Sequence, residues 1–176
     1  MNREPIFISN PLFEEISQKI KKSYPNSCIL FIDEVKNTEL ENSYELQKNI
    51  IIEERGSVIE ELLFHGTRAD LINKIATEGF DPTKNISSAY GHGTYFAKNA
   101  KYSISYMKSK DEIGISYMFL AKVIIGKKEL GANGKRLKSS EYDILVNKLE
   151  DPTIFVTPHR YGAYPKYIIA FHKEAT

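Results

Sequence analysis

Two short segments constrain this chain more than any other feature: Leu63-Phe64-His65-Gly66-Thr67, then Gly91-His92-Gly93-Thr94-Tyr95-Phe96-Ala97. Ser103 stands twelve positions past Gly91 and Tyr106 three further on, so the two share one face of a helix. A third segment, Ala163-Tyr164-Pro165-Lys166-Tyr167-Ile168-Ile169, follows near the end. Together these offer an imidazole, a hydroxyl and two phenol rings at spacings that can converge on one pocket. The glycines do not form a familiar phosphate loop. Phe96 stands where a Gly-x-Gly-x-x-Gly fingerprint needs its third glycine, and no Gly-x4-Gly-Lys-[Ser/Thr] occurs. A nucleotide site in this chain must be built another way.

At 176 residues the chain reads as one domain over 1–176 with room for a full core, and 41% hydrophobic with 27% charged residues is ordinary for a globular protein. A net charge of +1 gives no global argument for binding nucleic acid or an acidic membrane. The single cysteine, Cys28, excludes an intrachain disulfide and a multi-cysteine zinc site, and reads as an inert core thiol. His65, His92, His159 and His172 never fall at i,i+3 or i,i+4 spacing, so no helical metal pair and no metal cofactor are expected. The segment Met1-Asn2-Arg3-Glu4-Pro5 lacks the apolar run of a signal peptide, and no stretch approaches the length of a membrane span. The expected setting is cytoplasmic and non-membrane, with a nuclear location or delivery into a host cytosol left open.

Residues 12–22 carry Leu12, Phe13, Ile16 and Ile20 at helical spacing, closed by Pro25, and 28–35 reads as a strand. Residues 40–55 read as helix followed by a short strand at Ile50-Ile51-Ile52, with Gly56 as a break. Leu62-Leu63-Phe64 is a short buried strand that delivers His65. Thr67 is expected to cap the next helix with Asp70 three residues on; Leu71, Ile72, Ile75 and Ala76 form its apolar face and Gly79 its stop. Residues 81–90 are loop, 94–96 strand and 99–107 helix. Residues 115–125 are apolar at both alternating sets, the pattern of a strand covered on both faces. Residues 126–151 read as a long, basic connection, and 154–156 and 167–171 as closing strands separated by Pro158 and Pro165.

With His-Gly-Thr, Gly-His-Gly-Thr-Tyr-Phe-Ala, Ser103 and Tyr106 eight and eleven positions past Tyr95, and the Ala163–Ile169 segment, the chain resembles the catalytic domain of the poly(ADP-ribose) polymerase family. The resemblance covers about residues 62–171, with a weaker echo before them. It implies an α+β ADP-ribosyltransferase (diphtheria-toxin-like) fold: two antiparallel sheets forming a split core, flanking helices, and NAD in the cleft as co-substrate. With 64 residues ahead of His65, the helical regulatory domain of some relatives has no room, so a constitutively open site is expected.

The resemblance also implies roles. His65 bonds a ribose hydroxyl on the adenosine side, the Gly66 backbone takes both bonds of the nicotinamide carboxamide, and Ser103 donates a third. Tyr106 stacks on the nicotinamide ring, while Tyr95 covers its other side and bonds the ribose. Thr67, Tyr90, Phe96 and Ala97 complete the NAD-binding set, and His92 could touch the pyrophosphate. Polymer-forming relatives carry a glutamate where this chain has Ile154. Isoleucine cannot polarise an acceptor hydroxyl, and the His65-Tyr95-Ile154 set looks like that of mono-ADP-ribosyltransferases. The implied activity is transfer of one ADP-ribose from NAD by a monomer, with a protein as the expected acceptor and a nucleic-acid acceptor open. The alternatives are a non-catalytic NAD- or ADP-ribose-binding module and a transferase acting on RNA ends.

Overall fold

The longest apolar run of the chain becomes the centre of its sheet. A computed structural model describes residues 1–85, 88–105, 107 and 114–172. In chain order these form β1 (Asn2–Ile6), α1 (Pro11–Lys21), β2 (Cys28–Lys36), α2 (Thr38–Arg55), β3 (Ile59–Gly66), α3 (Ile72–Glu78), β4 (Thr94–Ala97), α4 (Ala100–Ile104), β5 (Ile115–Ile125), β6 (Lys128–Leu130), β7 (Ile144–Val146), β8 (Ile154–Thr157) and β9 (Ala163–His172). β5 is buried along both alternating sets from Met118 to Ala121, as its sequence predicts, and lies between β9 and β3. Met118, Phe119, Leu120 and Ala121 are fully excluded from solvent.

The α+β class agrees with expectation, but the two separate antiparallel sheets do not form. Among the described residues the strands make one sheet of nine in the order β1-β2-β9-β5-β3-β4-β8-β7-β6, mixed because β6 and β7 run parallel. β3 pairs with β5 at eight positions, from Ile59–Ile125 to Gly66–Met118. It pairs with β4 at only one, Phe64 with Ala97. That single rung joins what would otherwise be two sheets. The largest apolar cluster, including Leu63, Phe80, Phe96, Phe119, Phe155 and Ile168, draws on both sides of the rung.

Four local expectations are corrected. Ile50-Ile51-Ile52 is helical, not strand. Asn37 caps α2 by accepting from Leu40 N at 3.2 Å, and Gly56, at φ 84°, closes it by donating to the Ile52 carbonyl. A helix sealed at both ends overrides the β-branched preference of three isoleucines. Thr67 does not cap α3: Arg68 precedes a 3-10 turn at Ala69–Leu71, and Asp70 pairs with Arg68 at 2.6 Å. The connection over 126–151 contains β6 and β7; Ile144, Leu145 and Val146 are fully buried, but three-residue strands are too short to show a period. Cys28 is exposed, because it opens β2 at the sheet end opposite His172.

β9 also begins earlier than expected and contains Pro165. The β5–β9 register shifts between Leu120–Tyr167 and Lys122–Tyr164, so Pro165 and Lys166 stand against Ala121 alone. This bulge accommodates a residue without an N–H. Beside it the buried Tyr164 hydroxyl donates to the Val35 carbonyl at 2.9 Å and accepts from Asn37 N at 3.1 Å.

Asn37 therefore ties four elements: it caps α2, follows β2, donates its N–H to the Tyr164 hydroxyl of β9, and donates Nδ2 to the Ala76 and Thr77 carbonyls of α3 at 3.1 and 2.9 Å. Asn37→Ala should lower stability by about 2 kcal/mol, from the lost cap and two carbonyls left without a donor. The measurement is the urea midpoint at unchanged m; Asn37→Asp keeps the cap acceptor but turns a carboxylate oxygen toward both α3 carbonyls, so it should not recover the loss. An unchanged midpoint in the alanine variant would refute this reading.

Candidate functional site

His65 is the penultimate residue of β3, where pairing with β4 has already ended. Its imidazole lies 4.9 Å from the Phe80 ring, edge-on, and 5.4 Å from Phe96. Nδ1 is 2.8 Å from the Tyr95 carbonyl oxygen. A carbonyl only accepts, so Nδ1 carries the proton. Burial holds the imidazole pKa below its usual value, with the Tyr95 bond working against it. The ring is neutral at pH 7, which leaves Nε2 as a hydrogen-bond acceptor suited to a hydroxyl donor. Phe80 is braced in turn: the Arg160 guanidinium donates to the carbonyls of Glu78 and Phe80 just past α3.

Gly66, next along, touches α4. A Cβ there would stand 1.9 Å from the Ser103 carbonyl oxygen. Only glycine allows the strand end and the short helix to approach this closely. Ser103 is buried within α4, which ends at Ile104, earlier than the 99–107 helix expected. The expected ring partner, Tyr106, lies outside the described residues. Thr67 is buried at the β3 exit.

Tyr95 sits on β4 opposite Val156 of β8, and Ile154 is two residues before Val156, hence on the same face. Tyr95, Leu145, Ile154 and Val156 form one apolar cluster, with Tyr90, Tyr102 and Leu137 packed against it. The Tyr95 hydroxyl donates to the Gly91 carbonyl at 2.7 Å and accepts from Tyr90 N at 2.9 Å, holding the turn before β4. Gly91 and Gly93 have φ of 116° and 150°, and a Cβ on Gly93 would lie 2.5 Å from the Thr157 carbonyl. These glycines serve the turn and its packing. His92 is exposed between them, its N–H donating to the Lys135 carbonyl at 2.8 Å.

The structure thus brings Tyr90, Tyr95 and Ile154 together directly, joins His65 to them through the Tyr95 carbonyl, and sets Gly66 against Ser103. Phe96 and Ala97 are 1% exposed: Phe96 supports the imidazole and Ala97 makes the rung with Phe64. Sequence reasoning missed Phe80, Tyr102, Leu137 and Arg160. Leu137 was legible as the apolar residue between Arg136 and Lys138; the others carry no periodic signal. The basic connection is partly neutralised, since Lys135 pairs with Glu129 at 2.7 Å. It is also zipped onto the Tyr90 turn, with Gly134 N donating to the Ser88 carbonyl at 2.9 Å. Among the described residues no group of three or more His, Cys, Asp or Glu could hold a metal.

A neutral His65 has a consequence for pH. Burial also lowers the pKa of His159, against the opposing charge of Asp143. The unfolded chain protonates both rings near pH 6.5, whereas the native chain resists, so U binds more protons and stability falls as pH drops below about 6.5. Glu34, Glu60 and Asp81 have lowered pKa values, and their losses come at lower pH. Urea midpoints should therefore already decline between pH 7.5 and 5.5, and His65→Asn should flatten that slope. A wild-type midpoint constant across this interval would contradict the neutral buried ring.

The family model for the poly(ADP-ribose) polymerase catalytic domain matches residues 11–151. The match reaches further toward the N-terminus than the motifs alone suggested and stops short of Ile154. Over 94% of its length the chain is 31% identical to human protein mono-ADP-ribosyltransferase PARP14, covering 10% of that protein. Over 93% it is 32% identical to human protein mono-ADP-ribosyltransferase PARP12, covering 24% of it. Over 90% it is 29% identical to a probable poly(ADP-ribose) polymerase of Dictyostelium discoideum, covering 49% of it. The chain thus spans from a tenth to half the length of these relatives. With four fifths of the chain matched, the protein belongs to the poly(ADP-ribose) polymerase catalytic domain family.

Proposed function

We propose that the chain is an NAD-dependent mono-ADP-ribosyltransferase that cleaves the nicotinamide–ribose bond and transfers one ADP-ribose to a protein. The observation that carries this reading is His65: its Nδ1–H is committed to the Tyr95 carbonyl, burial keeps the ring neutral, and Nε2 is left as an acceptor for a sugar hydroxyl. The other residues fit the substrate. Gly66 ends β3 with its main chain beyond the last β4 rung, where a carboxamide can be held by backbone. Ser103 lies against it on α4 and supplies a hydroxyl. Tyr95 contributes its ring; its hydroxyl is occupied by the Tyr90–Gly91 turn.

NAD supplies the leaving group and the ADP-ribose. The chain contributes orientation, since a fixed sugar and a held carboxamide reduce the freedom that must be lost on the way to the transition state. Ile154, 7% exposed among Tyr95, Leu145 and Val156, presents an apolar wall where chain elongation would call for a polar group on the acceptor side. Transfer then requires an acceptor that brings its own nucleophile, and a second unit cannot be activated on the first. The names of the human relatives point the same way.

Nicotinamide release from NAD should be measurable in the wild type and reduced about tenfold or more in His65→Ala, the scale of one well-placed hydrogen bond. A benzamide-type ligand should raise the thermal midpoint of both proteins, because its carboxamide addresses Gly66 and Ser103. Intact mass spectra of modified protein should show single ADP-ribose units at each site, with no ladder. Retained, uncleaved NAD would identify a binding module, label removed by nuclease an RNA acceptor, and polymer ladders would overturn the reading of Ile154.

A further inference from the structure

The apolar residue at the third site position has no polar atom on its side chain to orient it. Its placement depends on the main chain, which is held there by pairing with Ala97 of β4 and by one side chain. β7 pairs with β8 at Leu145–Val156 and Val146–Phe155, and the ladder then gives way to the turn over 148–153. At this point Asn147 closes the turn on itself. Its N–H donates to the Ile154 carbonyl at 3.2 Å. Its Oδ1 accepts from Thr153 N at 3.0 Å and from Ile154 N at 3.1 Å, and its Nδ2 donates to Thr153 Oγ1 at 2.9 Å.

The turn is tied to β4 as well. Lys98 N donates to the Thr153 carbonyl at 3.0 Å, and Lys98 Nζ pairs with Asp151 at 3.0 Å. Asp151 has φ 44°, the one non-glycine residue with positive φ among those described, and such a backbone persists only where its surroundings hold it. The half-buried amide of Asn147 therefore meets two main-chain N–H groups and one hydroxyl within a six-residue turn, with both ends of the amide used.

We propose that Asn147 is a positioning residue for the transfer step: it clamps the main chain at Thr153 and Ile154, and so sets the acceptor-side wall at a fixed distance from Tyr95. This inference rests on the transferase reading above. The nicotinamide clamp at Gly66 and Ser103 belongs to β3 and α4, which Asn147 does not touch. Loss of the amide should leave NAD binding in place and lower the rate of transfer.

The experiment compares Asn147→Ala with Asn147→Asp. A carboxylate keeps the oxygen for both N–H groups, and the Thr153 hydroxyl can rotate to donate to it, so the aspartate variant should retain the clamp. Asn147→Ala should lower kcat for transfer to protein by about ten- to a hundredfold, the range for small misplacements at a reacting centre. Its KM for NAD and its benzamide-induced thermal shift should stay at wild-type values, while Asn147→Asp recovers most of kcat. Amide hydrogen exchange at Thr153 and Ile154 should be slow in the wild type and fast in the alanine variant.

Wild-type kcat in Asn147→Ala overturns the proposal. So does a loss that Asn147→Asp shares equally, or one that raises KM for NAD in step with a falling thermal midpoint. A wild type that releases no nicotinamide defeats the transferase reading instead; the exchange rates then still decide the clamp, and equal exchange in wild type and Asn147→Ala refutes it.

Discussion

Strands β3 and β4 meet through one register pair, Phe64 with Ala97, and the arrangement at the site follows from how little pairing they share. Beyond that rung β3 continues through His65 and Gly66 with β5 on one side only, while β4 turns its other edge to β8. Unpaired backbone at a strand end must find other partners. The Tyr95 carbonyl finds the imidazole of His65, and the Gly66 main chain comes against α4. A longer β3–β4 ladder would consume the groups that a ligand needs. No pairing at all would leave two halves with nothing to set their spacing.

The side chains at this opening are placed by apolar packing more than by polar contacts. Phe80, Phe96 and Phe119 meet edge to face, with ring centroids 5.0 and 5.6 Å apart, and the imidazole of His65 rests on two of them. Such contacts stabilise by about 0.5 to 1.5 kcal/mol each beyond their buried area. They also strip part of the hydration from the ring, which lowers its pKa. On the opposite face Tyr95, Leu145, Ile154 and Val156 repeat the device without any charge. A neutral acceptor on one side of β4 and an apolar wall on the other suit a reaction that depends on orientation.

A third tie holds the outer strands. The Asp143 carboxylate, 3% exposed, accepts from Arg55 Nε at 3.2 Å and from Lys127 N at 2.6 Å, linking the end of α2 to the turn between β5 and β6. A Cβ on Gly126 would lie 2.4 Å from Asp143 Oδ2, so the glycine is required by the carboxylate. Buried ion pairs contribute little net stability, and their best-attested use is to set register. Here the parallel strand pair, three residues long on each side, is placed by a side-chain contact at its entrance.

How much was legible in the sequence follows the reach of the signals. Strands β3, β4 and β5, helix α1 and the glycine stops at Gly56 and Gly79 declared themselves through local period and punctuation, because burial of one face acts within a few residues of chain. The joint spacing of His65, Tyr95 and Ser103 pointed to one family, since few folds place those groups at those intervals. The helical state of Ile50–Ile52 depended on caps at Asn37 and Gly56, and β6 and β7 on partners distant in sequence. The bulge at Pro165 depended on Ala121 across the sheet. By itself the sequence determined which residues could meet and which chemistry they could offer. Only the tertiary structure decided that one sheet forms where two were expected, that the Tyr95 hydroxyl serves its own turn, and that Asn147 holds Ile154. Each of these is a choice of hydrogen-bond partner or register, and such choices leave no periodic trace in the chain.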